Sequence, residues 1–285
     1  MSERPFGTRY ALVAVALLVA AGCGGGEPGG EAGGGEAAPM ESPVDPATAG
    51  HVSAAVTFSG TAPTTAPINM SSERVCAEKH ATQPTEQSFV AGPNGGLANV
   101  FVYVREGLGD LQFPTPSAAV VLDQDGCVYD PHVLGAQVGQ SLTIRNSDGI
   151  LHNIKASPSE NRPFNVSQPV NMDTNRSFSV PEVMIPVQCD VHSWMNAYIG
   201  VVEHPYYAVS DANGSVSLEG LPPGDYVVEA WHERYGTMST NVTVATGQTA
   251  EISFEFTDEM AGSYVPIGAP IDLFHPDGHR GVDHP

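Results

Sequence analysis

Cys189-Asp190-Val191-His192-Ser193-Trp194-Met195 sets a thiolate, an imidazole and a thioether within seven residues, two residues apart from donor to donor. A short loop of that spacing can fold all three around one point. Soft sulfur beside imidazole selects copper, and a trigonal His₂Cys set with a weak, long axial Met describes an electron-transfer copper site. The loop supplies only one of the two imidazoles. His152, in Gly149-Ile150-Leu151-His152-Asn153-Ile154, is the candidate for the other. Zinc is the competing metal, but structural zinc sites gather four Cys or His ligands, and Met is not among their usual donors. Coincidence is a poor explanation: with 4 Cys, 10 His and 8 Met in 285 residues, the spacing arises by chance in roughly 0.004 of such chains.

A metal held by four protein ligands, His152, Cys189, His192 and Met195, has no open position for substrate, which Lewis-acid catalysis requires. One-electron exchange remains, with Cys189 kept as thiolate because a coordinated thiol is deprotonated. The chain has no clustered H-x-H pairs of the kind multicopper oxidases use, no nucleophile–base pattern and no phosphate loop. The expectation is therefore a carrier of single electrons and not an enzyme. Two other classes stay open: a protein that binds copper for storage or delivery, and an interaction module of the cell envelope.

Composition favours an all-β protein. Gly (31) and Pro (24) are frequent, and short Val- and Thr-containing runs recur between turn residues. The opening reads as a signal sequence over residues 1–22, with Arg4 and Arg9 ahead of an apolar run of 12 residues from Tyr10 to Ala21. That run is too short to span a bilayer, which needs about 20. Ala21-Gly22-Cys23 resembles a bacterial lipoprotein processing site, which implies cleavage before Cys23 and its lipidation; Ala20 departs from the usual Leu or Val. Such an anchor places the protein at the extracytoplasmic face of a bacterial envelope. Residues 23–49 are rich in Gly, Glu and Ala and read as a tether, with an end-to-end distance of about 28 Å if fully flexible. Net charge is −21, and −22 once Glu3, Arg4 and Arg9 are removed with the leader. That balance excludes nucleic acid and points to basic partners, with a basic c-type cytochrome as the expected redox partner.

Cys23 and Cys189 are assigned to lipid and metal, leaving Cys76 and Cys127. In an oxidising compartment the expected outcome is a disulfide. The rival is a second metal site, pairing Cys76 with His80 and Cys127 with His132. The absence of C-x-x-C-H from the sequence excludes covalent c-type haem.

Along the chain, strands are expected at 51–58 and 99–104, the latter of buried type. A new unit begins at Ala118, and Asn146-Ser147-Asp148-Gly149 is a turn that delivers His152. From 118 to 203 the sequence resembles the cupredoxins of the amicyanin and plastocyanin type. The resemblance rests, in order, on Tyr129-Asp130-Pro131-His132-Val133, Val138-Gly139-Gln140, Arg145-Asn146, His152-Asn153, Cys189, His192 and Met195. It implies a Greek-key β-sandwich carrying one type 1 copper. His152, Cys189 and His192 would be equatorial and Met195 axial, with Asn153 bonded across to the cysteine loop. The edge of His192 would be exposed as the electron port. Val191 and Val187 stand where Pro and an aromatic are common, and Pro186 in the incoming strand suggests an edge or bulge.

Beyond the loop, Ser210 to Leu218, with Asn213-Gly214, and Leu221-Pro222-Pro223-Gly224-Asp225-Tyr226 resemble a carboxypeptidase regulatory-like, or transthyretin-like, β-sandwich. This second, smaller sandwich lacks its opening strands within 204–257, and 50–105 can supply them. The expected organisation is thus a cupredoxin domain, 117–203, inserted into a discontinuous host of 50–105 and 204–257, with a tail at 258–285. His204 and His232 read as packing or surface residues, and His275, His279 and His284 as solvated tail residues.

Overall fold

The computed structural model describes residues 41–262. The leader, Cys23, most of the tether and the tail histidines lie outside the described residues. In chain order the elements are β1 (Gly50–Ser59), α1 (Arg74–Glu78), β2 (Phe101–Glu106), β3 (Val120–Asp125), β4 (Val128–Asp130), β5 (Val133–Gln137), β6 (Leu142–Asn146) and β7 (His152–Ala156). There follow β8 (Phe164–Gln168), β9 (Met172–Arg176), β10 (Glu182–Gln188), β11 (Asn196–Val202), β12 (Tyr207–Val209), β13 (Ser215–Leu221), β14 (Gly224–His232), β15 (Gly236–Val244) and β16 (Thr249–Thr257). The protein is nearly all-β, and no helix among the described residues is long and apolar enough to cross a membrane.

Four sheets form. The orders β13–β1–β16 and β12–β2–β14–β15 belong to the chain's ends, while β5–β11–β10–β7–β8 and β4–β3–β6–β9 belong to its middle. Strands β2 and β12 are antiparallel neighbours, Tyr103 opposite Tyr207. The chain therefore leaves one sheet after β2, builds β3 to β11, and returns at the adjacent position.

Strand β2 explains how two sandwiches share one wall. Its side chains alternate, as strand geometry demands. Val102 and Val104 enter the core that holds Val52, Val56, Val228, Phe254 and Phe256. Phe101 and Tyr103 point the other way, against Val133 and Val202 of β5 and β11, with Trp231 and Tyr207 packed alongside. Because both faces are buried, 99–104 reads as a continuous apolar run rather than an alternation. The contact is close: a Cβ on Gly135 would sit 2.3 Å from a ring carbon of Tyr207, and one on Gly200 2.6 Å from the ring of Phe101.

Three expectations need correction. The span between β1 and β2 does not serve one sandwich throughout. Ile68, Met70 and Cys76 are buried in the middle-chain core with Leu122, Ile144, Ile154, Cys189 and Met195. The tether reading extends too far, since Ala49 N donates to Asp45 O and Gly247 N to Thr48 O, which fixes the last tether residues on the fold. Pro186 sits in a central strand, flanked by β11 and β7. It is accommodated because this is not a hydrogen-bonded position toward β11, where Tyr198 turns its N–H to His132 O at 2.9 Å; Pro186 faces the other side instead, its carbonyl accepting from Ser157 N at 3.0 Å just past the end of β7. The register irregularity lies just upstream, between Glu182 and Ile185.

Candidate metal centre

Strand β10 ends at Gln188 and β11 begins at Asn196, directly opposite each other in an antiparallel pair. The seven residues between them form the donor loop. Cys189 N donates to Met195 O at 3.1 Å and Met195 N to His192 O at 2.9 Å, so the loop closes on itself. On the other side of β10, Gln188 faces Lys155 of β7, and His152 opens that strand. Sheet pairing thus carries the distant imidazole to the loop.

The two rings meet Nδ1 to Nδ1 at 2.9 Å, and Cys189 Sγ lies 3.9 Å from His192 Nδ1. One donor atom from each of His152, Cys189 and His192 falls within 4.8 Å of the others, and all three side chains are buried. Met195 is buried at 1 % exposure in the same core as Cys189. Asn153 Oδ1 accepts from Asp190 N at 2.6 Å and lies 3.3 Å from Cys189 Sγ, and Asn153 Nδ2 donates to Asn165 and Asp190. Burial alone would raise the Cys189 thiol, but His152, His192 and nearby backbone N–H groups outweigh it and bring it down to about 6.

Asp148, which in the sequence is only part of a turn, proves central. Its carboxylate accepts from His152 Nε2 at 2.8 Å, Gly126 N at 2.7 Å and Cys127 N at 2.8 Å, and pairs with Lys79 Nζ at 2.8 Å. Burial pushes this acid up, yet the bonds from His152, Lys79 and the two backbone N–H groups hold it down at about 2. Its role is to fix the ring of His152 with Nδ1 aimed at the loop. A carboxylate four residues before a suspected ligand was the available clue.

The expected exposed edge of His192 is absent, because the side chain is 1 % exposed. Cys76 and Cys127 form a disulfide, and Cys76 Sγ lies 3.8 Å from His192 Nε2. Trp194 packs beside the ring, tilted by 45° with centroids 5.1 Å apart, and donates from Nε1 to Cys127 O. The disulfide brings α1 over the loop, a placement fixed by a link across 51 residues that local sequence does not encode. His80 Nε2 instead meets Gly126 O, and His132 turns to Glu233 and Asn196 O. His204 is half-buried and His232 buried; burial lowers each to about 4.

The donors suit the metal suggested by the loop. Two imidazole nitrogens and a thiol converge in a buried site with a buried thioether in the same core, a soft and borderline set that matches copper. Residues 195–257 match the family model of the carboxypeptidase regulatory-like domain. That span runs from the last loop donor through β16. Among solved structures, the chain is similar to a mutant of amicyanin in its Cu(I) form, with 17 % identity, 30 % of this chain and 85 % of that one covered, and a TM-score of 0.27. It is also similar to a novel purple cupredoxin from Nitrosopumilus maritimus, with 20 % identity, 30 % and 99 % covered, and a TM-score of 0.26. No curated protein matches the chain.

Proposed function

We propose that this protein is a type 1 copper protein that carries single electrons between redox partners in a bacterial envelope. The observation that carries the reading is the convergence of His152, His192 and Cys189 donor atoms within 4.8 Å, in a buried site. His152, Cys189, His192 and Met195 would hold the metal. Bound copper supplies a one-electron couple between Cu(I) and Cu(II). The protein's part is to hold its donors fixed: Asp148 orients His152, Asn153 pins the Cys189–Asp190 peptide, and the disulfide with Trp194 closes the site to water. Fixed outer partners of this kind tune metal affinity and ligand orientation. A closed site opposes rapid exchange of metal and so favours a carrier over a delivery protein.

The module built from β3 to β11 serves as the electron carrier, inserted into a host sandwich made from β1, β2 and β12 to β16. Cys23, outside the described residues, anchors the protein by lipid, and the acidic surface meets a basic partner such as a c-type cytochrome. Neither step makes the protein an enzyme.

The test is the spectrum of the protein loaded with Cu(II). The expected result is an intense thiolate-to-copper band that bleaches reversibly with a reductant and disappears in Cys189→Ser. A colourless protein that yields copper readily to a chelator would refute the carrier. Electron exchange with a basic cytochrome should slow as salt is added, because steering between opposite charges is screened. Mass spectrometry of the membrane-extracted protein should find acyl chains on Cys23.

A further inference from the structure

The hairpin between β14 and β15 carries Trp231-His232-Glu233-Arg234-Tyr235, and one of its side chains reaches across the wall shared by the two sandwiches. Glu233 Oε1 pairs with His132 Nε2, with both side chains 4 % exposed. The other nitrogen of that ring, Nδ1, donates to the carbonyl of Asn196 at 3.2 Å. Asn196 directly follows Met195 and opens β11. The ring therefore stands between a carboxylate of one sandwich and the backbone that leaves the donor loop of the other.

Both ends of this link are rigid. On the host side the hairpin is closed by Tyr235 N to His232 O, and Tyr235 is buried among Phe58, Phe89 and Phe256. On the loop side, Met195 O already accepts from Cys189 N and Tyr198 N donates to His132 O. Beside the link, Tyr198 packs on Trp231 with ring centroids 4.9 Å apart. Asn196 is thus held on β10 by its register with Gln188 and on the opposite side by His132, which takes up its carbonyl.

We propose that Glu233 is a positioning residue for the metal centre. Acting through His132, it fixes the Asn196 carbonyl and with it the direction from which Met195 approaches the site. The host sandwich is thus a brace for Met195 as well as a support. This rests on the copper reading for its consequence, though not for its geometry. A buried carboxylate–imidazole pair is costly to assemble and is justified where it fixes orientation.

Three variants test this: Glu233→Ala, Glu233→Asp and Glu233→Gln. In the metal-free proteins, hydrogen exchange of the peptide covering 189–198 is expected to speed up in Ala and Asp, while the remainder of the described fold keeps its protection. In the copper-loaded proteins, Ala and Asp are expected to lose at least about tenfold in copper affinity by chelator competition, and to change the ratio of the two thiolate-to-copper bands. Gln keeps the length and an acceptor and should lie nearer wild type than Ala. Wild-type exchange, affinity and band ratio in both Ala and Asp would overturn the proposal, and so would equal losses in Gln and Ala. If Ala does not fold, Asp carries the test. A wild-type protein that takes no copper would sink the carrier reading alone, since the metal-free exchange still decides whether Glu233 braces the loop.

Discussion

Replacing Asp148 by Asn keeps size and shape but removes a charge that four groups use. The carboxylate bonds Gly126 N, Cys127 N and His152 Nε2 and pairs with Lys79, all at 2.7 to 2.8 Å, with its side chain 0 % exposed. Holding this acid at about 2 against an ordinary 3.8 corresponds to about 2.5 kcal/mol of stability at neutral pH. Breaking a buried pair costs about 3–5 kcal/mol. Lys79 keeps 29 % side-chain exposure and recovers some hydration, so the lower end, about 3 kcal/mol, is expected. In a fold of this size that is a drop of roughly 6–12 °C in Tm. The sign with pH follows from a folded-state value below the unfolded one. The stabilisation is complete above 3.8 and is lost as pH falls through 2, with about half gone by pH 3. The assay is thermal unfolding of metal-free wild type and Asp148→Asn at pH 7, 5 and 3; because Asp148 also raises His152 and Lys79, the narrowing is read between pH 5 and pH 3, where both are charged in the wild type. A gap under about 1 °C at pH 7, or one that does not narrow by pH 3, would refute the assignment.

Burial holds His232 neutral, down at about 4, and the side chain is 1 % exposed. Here the folded value of a base lies below the unfolded 6.5, so stability is full above that pH and falls as pH drops toward 4, by about 3 kcal/mol. His232→Phe should remove that part of the acid sensitivity in urea titrations. His232 Nε2 has no hydrogen-bond partner among the described residues, while Nδ1 accepts from Arg234 N at 3.2 Å, so the substitution should cost about 1 kcal/mol at pH 7. Paired replacement of Cys76 and Cys127 by Ser opens a loop of 51 residues. It should lower stability by about 2–4 kcal/mol and, by uncovering His192, speed copper loss to a chelator; unchanged release would show that the disulfide does not close the site. Gly135→Ala would press a methyl on Tyr207 and Phe101 across the shared wall and should cost about 1–3 kcal/mol in chemical unfolding.

Much of the site was legible because its donors are local or of unusual chemistry. Cys189, His192 and Met195 lie on one loop, and His152 stands beside a turn at the start of an apolar strand. The all-β class was legible from turn residues and short runs. Less could be read wherever function depends on polar groups that meet across the chain. Asp148 looks like a turn residue, and His132 and Glu233 are 101 positions apart. Strand β9 is polar after Met172, and β8 offers only Phe164 and Val166 in alternation before the buried Gln168, too short a period to announce either.

The residues alone carry the chemistry on offer: which donors exist, how closely three of them are spaced, and which segments are apolar enough to become strands. Access and orientation come from the fold. It brought Cys76 over His192, turned Asp148 onto His152, and set Glu233 against His132. The physical reason is that sequence spacing governs contacts within a turn or a hairpin, whereas burial and buried hydrogen-bond partners arise from sheets that pair residues far apart in the chain.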